Sequence, residues 1–126
     1  MIKPYKLSNK NFLSSLDISA DEIIHILELA KNFKKKDLYF ELKNKVLGLI
    51  FDKSSTRTRV SFQVAMSKLG GSTIDLNPTT SQIGRGEPIK DTARVLSRYC
   101  DVLAVRTFRH KDIEEYAKWS TKPVIN

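Results

Sequence analysis

The residues Val46–Phe51 form an unbroken apolar run, VLGLIF, which restricts the possible folds more than any other feature of this sequence. The run is too short for a buried helix. It also lacks the alternation of polar and apolar residues that a strand shows when one of its faces meets solvent. Such a run is typical of a strand covered on both faces, as in a parallel sheet. A parallel sheet in turn requires crossover connections, usually helices, between its strands.

The rest of the sequence alternates helix and strand patterns as such a sheet requires. Ser19 and Glu22 have the spacing of a capping box, and apolar residues then recur at helical intervals as far as Phe33. Three later helix patterns follow, the first with Phe62, Ala65, Met66 and Leu69, the second with Ile89, Ala93, Leu96 and Cys100, and the third with Ile113, Tyr116 and Ala117. Three later strand patterns lie at 72–76, at 102–105 and from 123 onward. This order predicts an α/β fold, a three-layer αβα domain with a central parallel sheet of about four strands flanked by helices.

Length and composition favour a single globular domain, residues 1–126, with 40% hydrophobic and 29% charged residues. No apolar run approaches the roughly 20 residues of a membrane span, and the N-terminus lacks a signal-peptide pattern, so we expect no membrane association and a cytoplasmic location.

The single cysteine, Cys100, excludes an internal disulfide, and we expect it to be a small buried thiol. We expect His25, on the polar face of the first helix, to be solvent-exposed and not a metal ligand.

The formal net charge of +8 suits nucleic acid, an anionic membrane or a small anionic ligand. The lysines Lys34-Lys35-Lys36 fall at the predicted end of the first helix, where the helix dipole favours cations without any ligand. Arg57 and Arg106 instead follow predicted strands, where α/β sheets bind ligands. We expect no nucleic acid, because the aromatic residues that would stack on bases fall on predicted helices: Phe62, Tyr99 and Trp119.

The segment FDKSSTRTRV, residues 51–60, places hydroxyls and arginines between the first strand and the next helix. Free backbone N–H groups and the positive end of the dipole make a helix start an anion site. Ser54, Ser55 and Thr56 add hydroxyl donors, and Arg57 adds a planar fork suited to phosphate oxygens. Because no P-loop sequence and no suitably placed carboxylate accompany them, we predict a small phosphorylated ligand held without a metal. The alternative is a serine helix cap with surface arginines.

Arg106 stands directly after the predicted strand 102–105. The carboxyl ends of parallel strands share one edge of the sheet, so Arg57 and Arg106 are predicted to converge on one anion. We expect nearby His110 to cap the following helix or to meet solvent.

Ser55-Thr56-Arg57-Thr58, preceded by Phe51 and Lys53, resembles the carbamoyl-phosphate signature of the aspartate and ornithine carbamoyltransferases. The stretch SQIGRGEPIKDTARVLSRY, residues 81–99, is similar to the ornithine branch in particular. Aspartate carbamoyltransferases are expected to carry a serine and a lysine in this loop, whereas Gln82 stands here and no lysine precedes Lys90. Arg106-Thr107-Phe108 and the final PVIN also fit the ornithine branch. The resemblance runs from about Phe12 to the last residue, the N-terminal half of such an enzyme.

The resemblance implies a reaction and a set of site residues. Carbamoyl phosphate would transfer its carbamoyl group to the δ-amino group of ornithine, giving citrulline and phosphate, as in arginine biosynthesis, with no cofactor and no metal. The phosphate would be held by Ser55, Thr56, Arg57 and Thr58, Arg106 would touch phosphate and carbonyl oxygen, and Gln82 would reach the adjacent subunit of a homotrimer. The catalytic donors would be Arg57, Thr58 and Arg106. Asp52 and Gln63 depart from the family pattern, because glutamates are common at both positions.

The resemblance covers the carbamoyl-phosphate-binding domain, and the ornithine-binding domain of the family is absent from this sequence. We therefore expect the 126 residues to be inactive or nearly so alone, and we expect the first helix to expose apolar surface where the missing half would pack. One alternative is an aspartate carbamoyltransferase, or a carbamoyltransferase for another amine. A non-enzyme alternative is a basic phosphate- or nucleic-acid-binding module.

Overall fold

The computed structural model describes residues 5–35, 41–77, 79 and 82–126. Helices and strands alternate in the predicted order: α1 (Ala20–Lys35), β1 (Val46–Phe51), α2 (Thr56–Lys68), β2 (Ser72–Leu76), α3 (Ile89–Tyr99), β3 (Val102–Arg106), α4 (His110–Trp119) and β4 (Val124–Ile125). Two short 3-10 helices lie in the connecting segments, Ser15–Asp17 before α1 and Gln82–Arg85 between β2 and α3. Of the predicted lysine cluster, Lys34 and Lys35 lie in the last turn of α1, and Lys36 lies outside the described residues.

The strands form one parallel sheet in the order β2-β1-β3-β4. The central strand β1 pairs along its length with β2 on one side and β3 on the other. Because the chain leaves β1 toward one side and returns on the other, the carboxyl ends of β1 and β3 form a topological switch point, the usual ligand position in such sheets. At this point the Asp52 N–H donates a hydrogen bond of 2.8 Å to the Arg106 carbonyl oxygen.

Helices cover both faces of the sheet. On one face α2 packs through Met66 against the odd-numbered residues of β1, Leu47, Leu49 and Phe51. On the other face α3 and α4 pack on a larger cluster that includes Ile50, Leu96, Leu103, Tyr116 and Val124. Leu49 and Ile50 are both 0% exposed, as the unbroken apolar run predicts. The predicted three-layer α/β fold is therefore confirmed.

The predicted buried thiol is also confirmed. Cys100 is 2% exposed and lies at the end of α3, where burial, together with nearby Asp101, raises the pKa of the thiol. It packs on Gly48 of β1, and a Cβ atom at Gly48 would stand only 3.0 Å from the Cys100 sulfur and 2.9 Å from Leu103 Cδ2. A side chain at position 48 would therefore force Leu103 or Cys100 to shift where the helix end approaches the strand.

The capping box predicted at the start of α1 is present and has an additional partner. Ser19 Oγ accepts a hydrogen bond from the Glu22 N–H at 3.2 Å, and Glu22 Oε2 accepts one from the Ser19 N–H at 2.7 Å. Glu22 Oε1 also accepts from the Ser8 N–H, and the residue is only 3% exposed. These backbone donors, first Ser8 and then Ser19, lower the pKa of Glu22 to about 2. One carboxylate therefore fastens the N-terminal segment to α1.

The expectation of a solvent-exposed His25 is wrong. Its ring is half-buried and stacks on Tyr5 with 4.3 Å between ring centroids. The reason is that the N-terminal segment folds back along α1, which the helical spacing alone does not reveal. The opposite side of α1 leaves Ile23, Ile24 and Leu27 exposed, so the helix does present apolar surface. In the part of the chain that the structure describes, no helix is both long and apolar enough to cross a bilayer.

Glu22 makes the stability of the chain dependent on pH in the acid range. Because folding lowers the pKa of Glu22 from the ordinary glutamate value of 4.5 to about 2, the ionised carboxylate stabilises the fold above pH 4.5 and loses this effect as the pH falls toward 2. We expect Glu22→Gln to lower the urea midpoint at pH 7, and the difference from wild type to shrink through this window. Glu28→Gln, on the same helix, is the matched control. Parallel pH profiles for wild type and Glu22→Gln would contradict the assignment.

Candidate anion-binding site

A cleft of about 360 Å³ lies at the switch point, beside the carboxyl ends of β1 and β3. Its lining consists of Ser54, Ser55, Thr56, Arg57, Thr58 and Arg106. The first five come from the turn after β1 and the start of α2, and the last ends β3. The structure thus brings Arg57, which follows β1, and Arg106, which ends the adjacent strand β3, to one cleft, as their sequence positions predict. Hydroxyl and guanidinium donors of this kind suit an anion with several oxygens.

At the start of α2, beside the cleft, no side chain of the helix compensates the positive end of the helix dipole. Ser55 is the N-cap residue, and its carbonyl oxygen accepts the Arg59 N–H at 3.0 Å, but its side chain makes no capping hydrogen bond. The first turn of α2 contains no acidic residue. The helix therefore neutralises neither its free N–H groups nor its dipole with its own side chains. This geometry argues against the alternative that Ser55 serves as an ordinary helix cap.

Arg106 is held by its backbone and leaves its side chain accessible. Its carbonyl oxygen accepts the hydrogen bond from Asp52, and its side chain is exposed along the cleft. The next residue, Thr107, is 7% exposed, and its Oγ1 donates to the Arg109 carbonyl oxygen at 2.8 Å. The loop after β3 is therefore braced on both sides of the arginine.

Arg59 positions the start of α2, a role that the sequence reasoning did not assign. Its guanidinium carbon lies 5.5 Å from the centroid of the Phe51 ring, and its Nε lies 3.1 Å from Asp75 Oδ2. The buried Nε–H is not aligned for a hydrogen bond, so this contact is an ion pair by distance. The available signal was the two-residue spacing of the arginines in TRTR, which directs Arg57 and Arg59 to different sides of the helix.

Asp52 and Gln63, the two departures from the family pattern, do not line the cleft. Asp52 is half-buried, and burial, with a smaller effect of Asp112, raises the pKa of its carboxyl group. Gln63 is half-buried on α2. Neither side chain therefore faces the cleft directly.

Gln82 begins the 3-10 turn after β2, is exposed, and does not line the cleft of its own chain. Its carbonyl oxygen accepts the Glu87 N–H at 3.1 Å, and Glu87 Oε2 accepts the Thr92 hydroxyl at 2.8 Å. The loop is therefore fastened to the first turn of α3. Its preceding residue, Ser81, lies outside the described residues.

His110 takes no part in the cleft. It is the first residue of α4 and is exposed, with Nε2 3.8 Å from Glu114 Oε1, while Arg109 occupies the N-cap position. Of the two predicted roles, capping is wrong and contact with solvent is confirmed. Within the described ranges, no three His, Cys, Asp or Glu side chains are grouped to hold a metal ion.

A larger open pocket of about 500 Å³ lies at the opposite end of the sheet, near residues 97–101 and 121–122. Its buried polar group, Ser97, already donates to the Ala93 carbonyl oxygen at 2.7 Å, lies 3.0 Å from Ser120 Oγ, and accepts the Thr121 N–H at 3.1 Å. The buried hydroxyl of this pocket is therefore already satisfied, and the smaller cleft at the switch point, with its two arginines and uncapped helix start, is the stronger candidate site.

Comparison with known proteins shows which family the chain resembles. Residues 10–126 match the model of the aspartate/ornithine carbamoyltransferase, carbamoyl-phosphate-binding domain. The ornithine carbamoyltransferase of Prochlorococcus marinus subsp. pastoris is 80% identical over all of this chain, which covers 41% of that protein. The corresponding protein of Nostoc punctiforme is 54% identical over 95% of this chain, which covers 39% of it. The chain thus spans about two fifths of these relatives.

Solved structures show the same relationship. Ornithine carbamoyltransferase from Pyrococcus furiosus superposes with a TM-score of 0.85 at 51% identity, covering 93% of this chain and 39% of that one. The catalytic subunit of M. jannaschii aspartate transcarbamoylase superposes with a TM-score of 0.83 at 33% identity, covering 94% of this chain and 40% of that one. With a family match over residues 10–126 and a shared fold, the chain belongs to the aspartate/ornithine carbamoyltransferase family, in its carbamoyl-phosphate-binding domain.

Proposed function

We propose that this chain is the carbamoyl-phosphate-binding part of an ornithine carbamoyltransferase. Such an enzyme transfers the carbamoyl group of carbamoyl phosphate to the δ-amino group of ornithine and yields citrulline and phosphate, a step of arginine biosynthesis. The observation that carries the proposal is the cleft at the switch point, where Arg57, Arg106 and a row of hydroxyls meet an uncapped helix start.

The ornithine branch is supported by the degree of similarity. The solved ornithine carbamoyltransferases from Pyrococcus furiosus and Gloeobacter violaceus are 51% and 46% identical to this chain, against 33% for the aspartate transcarbamoylase of M. jannaschii. Gln82, in a loop without a preceding lysine, points to the same branch. An aspartate carbamoyltransferase remains the second candidate, on the strength of the shared fold.

The proposed roles follow from where charge develops in the reaction. As the amine attacks, the carbonyl oxygen becomes anionic and the leaving phosphate gains negative charge. Ser55, Thr56, Arg57 and Thr58 hold the phosphate at the start of α2. Arg106 contacts phosphate and carbonyl oxygen from the β3 side. Donors held in place before the reaction stabilise these charges without reorganising, so Arg57, Thr58 and Arg106 are the catalytic groups, and neither a metal nor a cofactor is required by this scheme.

The acceptor half of the site is proposed to lie in a second domain outside these residues. The relatives are more than twice as long as this chain, which covers 41% of the Prochlorococcus protein. Ornithine carries the attacking amine, and the reaction requires that amine to be held in line with the carbonyl carbon. The described cleft offers cationic and hydroxyl donors, which suit the phosphate and repel an ammonium group.

The enzyme is further proposed to be a cytoplasmic homotrimer, in which Gln82 reaches the cleft of the adjacent subunit. In its own chain Gln82 is exposed and away from the cleft. The loop of Gln82 follows β2, an edge strand whose neighbourhood exposes apolar side chains: Val60 is 47%, Val64 45% and Ile74 39% exposed. An apolar surface beside an unpaired edge is a feature that association between subunits would cover.

Anion binding tests the assignment of the site. We expect phosphate and phosphonoacetate to bind the chain in titration calorimetry, and Arg57→Ala or Arg106→Ala to weaken binding about tenfold or more, because each removes a charged hydrogen-bond donor. Arg98→Ala, an exposed arginine in the last turn of α3, is the matched control. Unchanged affinity in Arg57→Ala would show that the anion binds elsewhere.

Catalysis tests the division of the site between two domains. We expect the purified 126-residue chain to form citrulline at no more than a trace of an enzymic rate from carbamoyl phosphate and ornithine, although it binds phosphonoacetate. A longer protein that joins this chain to the second domain of its Prochlorococcus relative serves as the positive control. Turnover by the short chain at the rate of the longer protein would refute the division.

Assembly tests the proposed subunit contact. In the longer protein we expect sedimentation velocity to show a trimer, and Val64→Asp to shift it toward the monomer because a charge then lies in the apolar contact. Val95→Asp, an equally exposed valine on α3, should leave the trimer intact. The surface is wrong if the two variants behave alike.

A further inference from the structure

The loops that supply the two sides of the cleft carry one more contact. Lys53 lies two residues before Ser55, and Phe108 lies two residues after Arg106. The Lys53 ammonium lies over the Phe108 ring, 5.2 Å from its centroid. A lysine within about 6 Å of a ring centroid is attracted by the ring quadrupole. Building on the proposed function, we propose that Lys53 and Phe108 are positioning residues, whose cation–π bridge holds the two arginine-bearing loops in register for the anion.

The bridge extends a link that begins at the strand ends. Phe51 pairs with Arg106 in the sheet, and the Asp52 N–H donates to the Arg106 carbonyl oxygen at 2.8 Å. Beyond this hydrogen bond the two loops diverge, one toward α2 and the other toward α4. The Lys53–Phe108 contact joins them again further from the sheet. The two loops are therefore connected at two points, by the hydrogen bond at the strand ends and by the cation–π contact beyond it. Two connections restrict the relative rotation of the loops as well as their separation.

Phe108 is more exposed to solvent than the other aromatic residues that contact cations. Phe51 and Trp119, which also lie under cations, pack in or against the hydrophobic clusters of the two sheet faces. Phe108 belongs to neither cluster and is 73% exposed. A phenylalanine at this exposure contributes little to the core, so the contact with Lys53 is what its ring provides.

The partner of the Lys53 ammonium group is the Phe108 ring and not a carboxylate. Asp112, in the first turn of α4, is engaged by Arg109 through hydrogen bonds of 2.7 Å and 3.0 Å. Among the residues the structure describes, no carboxylate lies within ion-pair distance of Lys53. A cation held by a ring instead of a carboxylate keeps its full positive charge, and Lys53 directly precedes Ser54 of the cleft lining. The bridge thus orders the loops without cancelling charge that favours an anion.

A double-mutant cycle on anion affinity tests the bridge. Titration calorimetry with phosphonoacetate compares wild type with Phe108→Leu, Lys53→Met and the double variant. We expect Phe108→Leu to weaken binding about twofold to fivefold, the range that an exposed cation–π contact supplies. Lys53→Met should weaken it further because the charge is also lost. In the Lys53→Met background, Phe108→Leu should have no additional effect, because the contact is already broken.

Conservative variants and matched controls separate positioning from general damage. Phe108→Trp and Lys53→Arg keep a ring and a cation, and we expect both to bind like wild type. Tyr99→Leu removes an equally exposed aromatic ring, 69% exposed, at the far end of α3, and should leave affinity unchanged. Lys68→Met removes a lysine at the end of α2 and controls for net charge. In NMR spectra of the ligand-free chain, the Lys53 ε-methylene protons should be shifted upfield by the ring and return to ordinary values in Phe108→Leu.

The outcomes distinguish this proposal from the proposed function. If wild type binds phosphonoacetate but the two substitutions are additive, or if the Lys53 methylene protons show no ring-current shift, the bridge is refuted and the anion site stands. If Arg57→Ala and wild type fail equally to bind the anion, the proposed function is refuted and the bridge loses its role with it. A nonadditive cycle with rescue by Phe108→Trp supports the bridge.

Discussion

Everything in this domain depends on the pairing of β1 between β2 and β3 while both of its faces are buried. Leu49 and Ile50 point to opposite clusters, so the strand joins the α2 layer to the layer of α3 and α4. The central position also makes the carboxyl end of β1 one side of the switch point. The same apolar run that stabilises the core therefore determines where the anion cleft opens.

The cleft combines positive elements that the fold places without burying them. An uncapped helix start contributes free N–H groups, and Arg57 and Arg106 are exposed, so neither pays the desolvation cost of a buried cation. Arg59 differs, because its stacking on Phe51 and its contact with Asp75 occupy it with support of the helix. Of the two arginines in TRTR, Arg57 therefore lines the cleft and Arg59 supports the helix, and the helical spacing between them is the physical basis of that division.

Local patterns predicted the fold well because they report local constraints. The strand 46–51, the capping box of Ser19 and Glu22 and the buried Cys100 each follow from neighbouring residues, and the structure confirms all three. Contacts between distant segments were not predictable in this way. His25 of α1 contacts Tyr5 of the N-terminal segment, and Lys53 and Phe108 come from two different loops, so both contacts depend on how separate segments fold together. The cleft itself was predictable because parallel strands bring their ends to one edge, whereas the roles of its residues depend on chemistry that periodicity does not encode.

Under the proposed function, the phosphate site and the acceptor site have different physical needs, so one domain could hold the first without the second. A helix start and two guanidinium groups suit phosphate oxygens, and here they come from two neighbouring loops at one edge of the sheet. An amine nucleophile must instead be held opposite the leaving group and kept from the arginines that would repel its protonated form. Under the proposed function, an acceptor site on a separate domain would meet both needs.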